Sequence, residues 1–301
     1  MTEIGEKRSF IGRYAKLLVV LATIAGATSG IFANLTAAPP LAIGFWRLTI
    51  ALPFFAVPVF TKGRDTLKTL TGRDIGISLL AGLFLFVHYF NWFSAVKLTN
   101  VSSASVLAAL HPLVVLVAMV FVFKQKVGIR PVLGIVLALL GGAMVAGFDY
   151  TQMSQGDFKG DICAFLAAFG MGVYFVLGNE ARKTVAGPTY VMLCFFACWV
   201  CFTIGMVATH TPFLAYTVRD FLCLIALALV CQIGAHGLFN LCMGHVNSLY
   251  VSAVETADPV FATILGVVVL HQIPSVTAVV GCIVVVLGLL YFNYWTSQKP
   301  A

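Results

Sequence analysis

Ser252-Ala-Val-Glu-Thr-Ala-Asp-Pro-Val260 lies inside an apolar run that reaches from Leu249 to Leu270. Two carboxylates, Glu255 and Asp258, stand three residues apart, and Pro259 follows at once. On a helix that spacing puts both acids on one face. The run is long enough to cross a hydrocarbon core of ~30 Å, and a charge inside such a span is costly enough to mark a functional site. At ~1.5 Å per residue from Leu249, Asp258 lies ~14 Å deep, close to the midplane, and Glu255 ~9 Å deep. Two acids this close in a low dielectric resist being ionised together. That arrangement suits a group that binds a cation or exchanges a proton.

The rest of the chain is built of similar runs. Of its 301 residues, 60% are hydrophobic and only 10% charged, against roughly a quarter charged in an average soluble domain. The charges are clumped and leave ten apolar stretches, at 17–37, 41–60, 75–96, 103–123, 131–148, 162–180, 190–209, 221–243, 249–270 and 276–295. The expected fold is an all-α polytopic membrane protein with ten transmembrane helices; a soluble fold would have no interior to hold so much apolar surface. The net charge of +7 does not point to nucleic acid, because Lys and Arg collect in short loops. With the N-terminus inside, fourteen of them fall on the inner side, three (Lys97, Lys159, Arg219) on the outer side, and Arg47 within a span. This asymmetry places both termini in the cytoplasm and the chain in an inner (cytoplasmic) membrane. The first sixteen residues, with Lys7, Arg8, Arg13 and Lys16, show no signal-peptide cleavage site. All eight cysteines lie in the second half. Cys194, Cys198 and Cys201 share a helix face, but no His or carboxylate accompanies them, so neither a metal site nor a disulfide framework is expected.

The opening stretch occurs twice. Residues 101–148 align without a gap on 248–295 at a constant offset of 147. His111-Pro112 falls on Asp258-Pro259, Ser105 on Ser252, Gln125 on Gln272, Gly134 on Gly281 and Gly141 on Gly288, with Asn100 on Asn247 just upstream. Further upstream the match fades. Each half then holds five spans, an odd number, so the halves lie upside down relative to each other. Such inverted repeats hold a substrate site near the midplane between them. The division is 1–148 for the first repeat, 149–160 for an outer linker and 161–301 for the second repeat.

Three features together resemble the EamA-type repeat of the drug/metabolite transporter superfamily: Gly44-Phe-Trp-Arg47 in span two, Val101-Ser-Ser-Ala-Ser-Val-Leu-Ala-Ala-Leu-His-Pro112 leading into span four, and a Gly-rich fifth span. The second half repeats the pattern at 251–290, so the resemblance covers essentially the whole chain. It implies a secondary active or facilitative transporter that moves a small polar metabolite, an amino acid or related compound, by alternating access, with export preferred to import. The alternative on the same scaffold is a multidrug or organic-cation exporter. The family often has Glu before the Pro of spans four and nine and again at their ends; this chain has His111, Asp258, Gln125 and Gln272 there. An enzyme is not expected. The chain lacks His-Glu-x-x-His and Gly-x-Ser-x-Gly, and Asp258 has no second intramembrane Asp to form a dyad. No cofactor is expected beyond a proton as coupling species. The expected partners are a small-molecule substrate and the bilayer, with the chain as monomer or homodimer.

The remaining candidates surround the two acids. His111, the repeat partner of Asp258, should face it across the centre as proton shuttle, substrate ligand or ion-pair partner. Pro112 and Pro259 should kink their helices as hinges, each freeing a carbonyl one turn back, near Ala108 and Glu255. Gln232, His236 and Asn240 recur at intervals of four in span eight, and His88, Tyr89 and Trp92 cluster in span three; both polar faces should line the cavity. Arg47 suits a substrate carboxylate and could equally snorkel to the headgroups or pair with an acid to lock the fold; because it belongs to the family motif, the structural role is preferred.

Overall fold

The computed structural model describes residues 10–99, 101–124, 126–146, 155–243, 245–258, 260–261, 264–265 and 276–297, which include helices and no strand. Pro259, Asn100, Gln125 and Gln272 lie outside the described residues. Among the described residues, six helices are long and apolar enough to cross a membrane: Ile11–Leu35, Pro40–Thr61, Gly72–Leu98, Phe158–Ala181, Gly187–Ala208 and Val218–Cys242. They correspond to spans one, two, three, six, seven and eight. Shorter apolar helices at His111–Val122, Ile129–Met144 and Val279–Phe292 supply spans four, five and ten, and span nine opens with Ser248–Glu255. Large apolar side chains point outward, Ile204 and Leu222 being 62% exposed and Phe121 76% exposed. In water such a surface would aggregate; in a bilayer it is the lipid face. The chain is a multi-pass helical membrane protein.

The helix packing shows the inverted repeat directly. Span two packs on seven, four on nine and five on ten, while one packs on eight as six packs on three. Exchanging the halves maps this set onto itself. Spans five and ten give the sharpest case. A Cβ on Gly134 would lie 2.9 Å from the Gly288 carbonyl oxygen, and one on Gly141 2.7 Å from that of Gly281. Each glycine therefore packs on the repeat counterpart of the other, as a two-fold axis between antiparallel helices requires. Helices approach this closely only where small residues leave room.

Several helices are interrupted where the sequence suggests continuity. Span one breaks at Thr28, between Phe10–Ala27 and Ser29–Leu35; the Thr28 hydroxyl donates to the Ala25 carbonyl at 2.7 Å, a local bond that competes with the helix ladder. Span four stops at Ala108 and restarts at His111. Pro112 therefore does not kink a continuous helix: it sits in the first turn of the second segment, where its missing N–H is not needed. The carbonyl of Ala108, expected to be freed, faces His111 Nδ1 at 2.9 Å. Span nine breaks at the equivalent place, Thr256–Ala257, immediately before Asp258. Span eight is not one α-helix, because Leu227–Gly237 is a π-helical stretch. Span six belongs to a helix that starts at Gln155, inside the segment read as loop.

Two helix starts carry the same device. Thr71 caps span three and Thr217 caps span eight, each in a reciprocal box with Asp74 or Asp220 three residues on. The pairs are 146 residues apart, so the repeat extends upstream of the region where the sequence match fades.

Candidate functional site

The interrupted helices place their broken points around a central cavity. It lies between spans three, four and six on one side and spans one, eight and nine on the other, with Arg47 of span two at its edge. The space between its atoms is about 620 Å³, open mouth included. His88, Tyr89, Trp92, His111, His236, Glu255, Asp258 and Arg47, all sequence candidates, line it. Thr23, Ser105, Met171 and Phe239 line it as well. Ser105 was visible as a repeat match. Phe239, one turn from His236, and Met171 had no polar signal to mark them.

His111 links the first repeat to the second across the cavity lining. It is buried, with Nε2 3.1 Å from Glu255 Oε2 and 3.2 Å from the Ser252 carbonyl oxygen. Both ring nitrogens thus face acceptors, Ala108 O on one side and Ser252 O with the Glu255 carboxylate on the other. The hydrogen-bonded partner of His111 is therefore Glu255, whose repeat counterpart is Ala108; His111 acts on its own counterpart Asp258 only through space, with no hydrogen bond or ion pair between them among the described residues. Asp258 Oδ1 approaches span one, 4.0 Å from the place a Cβ would take on Gly26. Its carboxylate has no hydrogen-bond or ion-pair partner among the described residues.

Arg47 is 1% exposed. Its Nε donates to Gln232 Oε1 at 2.5 Å, and its terminal nitrogens lie 3.4 Å from Ser29 Oγ and Tyr89 OH. The guanidinium sits over the Tyr89 ring, 4.4 Å from the centroid, a favourable cation–π geometry. Tyr89 donates to the same Gln232 oxygen at 2.8 Å. Every one of these partners is neutral. The snorkelling reading does not describe this side chain, which is buried at the cavity edge.

The stripe on span eight divides three ways. His236 lines the cavity, its ring 5.1 Å from that of Tyr89. Gln232 stands behind Arg47. Asn240 does not line the cavity; it accepts from Arg182 and donates to Tyr174 OH. His88 lines the cavity with Nδ1 3.0 Å from the Ala167 carbonyl.

An inverted pair of helical repeats with a polar cavity between them is the architecture of membrane carriers built on internal symmetry. The EamA-like transporter family model matches residues 13–147 and again 158–294; the chain belongs to the EamA-like transporter family. A relative from Clostridium kluyveri described as an uncharacterized transporter is 24% identical over 244 residues, 76% of this chain and 75% of that protein. Another from Bacillus subtilis, the uncharacterized transporter YxxF, is 27% identical over 169 residues, 55% of this chain and 53% of its own length. A solved crystal structure, 19% identical, superimposes with a TM-score of 0.77 over 96% of this chain and 99% of its own, a likeness of fold.

Proposed function

We propose that the chain is a secondary active or facilitative carrier for a small zwitterion, an amino acid or a close relative, working by alternating access across the cytoplasmic membrane with both termini inside and export preferred to import. One observation carries this reading. The cavity presents a guanidinium, Arg47, and a carboxylate, Asp258, and neither has an ion-pair partner among the described residues. Unpaired buried charge is expensive, so a ligand that brings one charge of each sign gains most from binding. The two groups reach span one at Ser29 and Gly26, three residues apart across its break at Thr28. An α-carboxylate and an α-ammonium on one carbon can engage both, each through a bond of about 2.8 Å. The carboxylate takes Arg47, whose fork suits it; the ammonium takes Asp258. Tyr89, Trp92, Met171 and Phe239 surround the remaining part of the substrate. The His111–Glu255 pair is the place where a coupling proton would enter.

The second reading, an organic-cation exporter, is favoured by the same aromatic lining together with Asp258 and Glu255; Arg47 opposes it. Counterflow in proteoliposomes separates the two. Labelled amino acids are expected to exchange fastest, while the matching amines and α-hydroxy acids, each missing one charge, exchange more slowly. Exchange of the amines as fast as the amino acids would overturn the zwitterion in favour of the cation.

A further inference from the structure

Two loops close the molecule at opposite faces, and the same arrangement fastens each. The near face is the one where span one begins, the far face the one where it ends. On the far face, the loop after span one is tied to span eight: Thr36 Oγ1 at 2.9 Å and the Ala37 N–H at 2.7 Å both donate to Asp220 Oδ1. The same loop is bridged to span three, where Lys97 Nζ donates to the Thr36 carbonyl at 3.0 Å. On the near face, the loop after span six is tied to span three by Thr184 Oγ1, which donates to Asp74 Oδ1 at 2.5 Å. It is bridged to span eight, where Arg182 donates to Asn240 Oδ1 and Asn240 Nδ2 donates onward to Tyr174 OH at 2.5 Å. Thr36 and Thr184 are 148 residues apart, close to the repeat offset.

The ties and the bridges differ in what they join. Each tie stays on one side of the cavity: span one with eight, or span six with three. Each bridge crosses from one side to the other, at the far face through Lys97 and at the near face through Asn240. Opening the cavity at a face must therefore break that face's bridge and can leave both ties intact. In each bridge the cation donates to a neutral oxygen and makes no ion pair there, Asp220 acting on Lys97 only through space at the far face. The acid nearest Arg182 in sequence, Glu180, is engaged by Lys183 at 2.6 Å and Arg73 at 3.6 Å. A buried ion pair would cost far more to separate.

We propose that Arg182–Asn240 and Lys97–Thr36 are the two gates of the carrier, the first closing the cavity at the near face and the second at the far face, with one open at a time. This rests on the alternating-access part of the reading above. It deepens that reading by naming the residues that gate it.

The test is amide hydrogen exchange, followed by mass spectrometry, on the full chain in lipid nanodiscs, for the parent and for Arg182→Met and Lys97→Met. Losing a charge-assisted hydrogen bond shifts a two-state ratio about tenfold or more. Arg182→Met is expected to speed exchange in the loop after span six and at the end of span eight. It should also slow exchange in the loop after span one and at the end of span three, because molecules drawn to the near-open state hold the far gate shut. Lys97→Met should give the mirror image. Asn240→Asp, which makes the near bridge an ion pair, should act opposite to Arg182→Met and gives an independent reading if a methionine variant fails to fold. A contact that merely braces the fold would loosen its own face and leave the other unchanged; that outcome, or loosening of both faces, overturns the proposal. The exchange measurement needs no substrate, so its failure is distinct from a failure of amino-acid counterflow.

Discussion

Asp258→Asn separates the proposed substrate chemistry from the stability of the fold. Asp258 faces the cavity with no partner among the described residues, so removing its charge strands no cation. Its effect on unfolding should stay within about 0.5 kcal/mol, as for substitutions that break no packing, cap or ion pair. Its effect on transport should be large. A hydrogen bond from an ammonium to a carboxylate is worth about 1.5–3 kcal/mol, which corresponds to a KM for the amino acid raised about 10- to 150-fold. The matching α-hydroxy acid keeps its carboxylate on Arg47 and has no ammonium to lose. Its weaker transport should therefore be nearly unaffected, and the preference for the amino acid should shrink by the same factor. The assay is counterflow with both compounds in parent and variant vesicles, beside thermal unfolding of each purified protein. An amino-acid KM within twofold of the parent, at unchanged Tm, would place the ammonium elsewhere and refute the argument.

Glu255→Gln differs because it strips buried His111 of its counter-charge at 3.1 Å; it should cost about 1–3 kcal/mol, seen as a lowered Tm, and Glu255→Gln combined with His111→Gln should recover most of that in a double-mutant cycle. Gly141→Ala puts a Cβ 2.5 Å from the backbone nitrogen of Val285 and should destabilise by about 1–3 kcal/mol. Its neighbour Gly142 has open space beside it, so Gly142→Ala should be neutral or stabilising by up to about 1 kcal/mol, and equal Tm shifts for the two would contradict the packing of spans five and ten. Asp220→Ala removes a capping box and a loop tie together and should lower stability by about 1–2 kcal/mol; an unchanged Tm would show that neither bond matters in the membrane.

The features legible in the sequence were those written in period and position. Apolar length marked the spans, the offset of 147 marked the second half of each repeat, and a charge inside an apolar run marked Glu255, Asp258 and Arg47. Partner choice was not legible. His111 and Asp258 align in sequence, yet a two-fold axis does not oblige aligned residues to touch, and His111 meets Glu255 instead. Asn240 was read onto the cavity by assuming an α-helical turn throughout span eight. The π stretch Leu227–Gly237 has a wider turn, so a four-residue step no longer returns to the same line. The boxes Thr71-x-x-Asp74 and Thr217-x-x-Asp220 were readable as helix starts. Their spacing of 146 hid them from an alignment held at 147.

The departures from symmetry say most about the ligand. A cavity on a two-fold axis between identical repeats would present each group twice and would suit a ligand with two like ends. Here the positions equivalent to Glu255 and Asp258 hold Ala108 and His111, so only the second repeat brings acids. The histidine joins one of them across the axis, which leaves a single carboxylate on the side of span nine. The positions 146 to 148 residues after Arg47 are Leu193, Cys194 and Phe195, so the guanidinium has no twin either. One cation and one anion, each without an ion-pair partner among the described residues, remain on a scaffold whose symmetry would otherwise pair them. That asymmetry suits the proposed zwitterion, and it leaves the proposed gates free to keep the symmetry of the repeats.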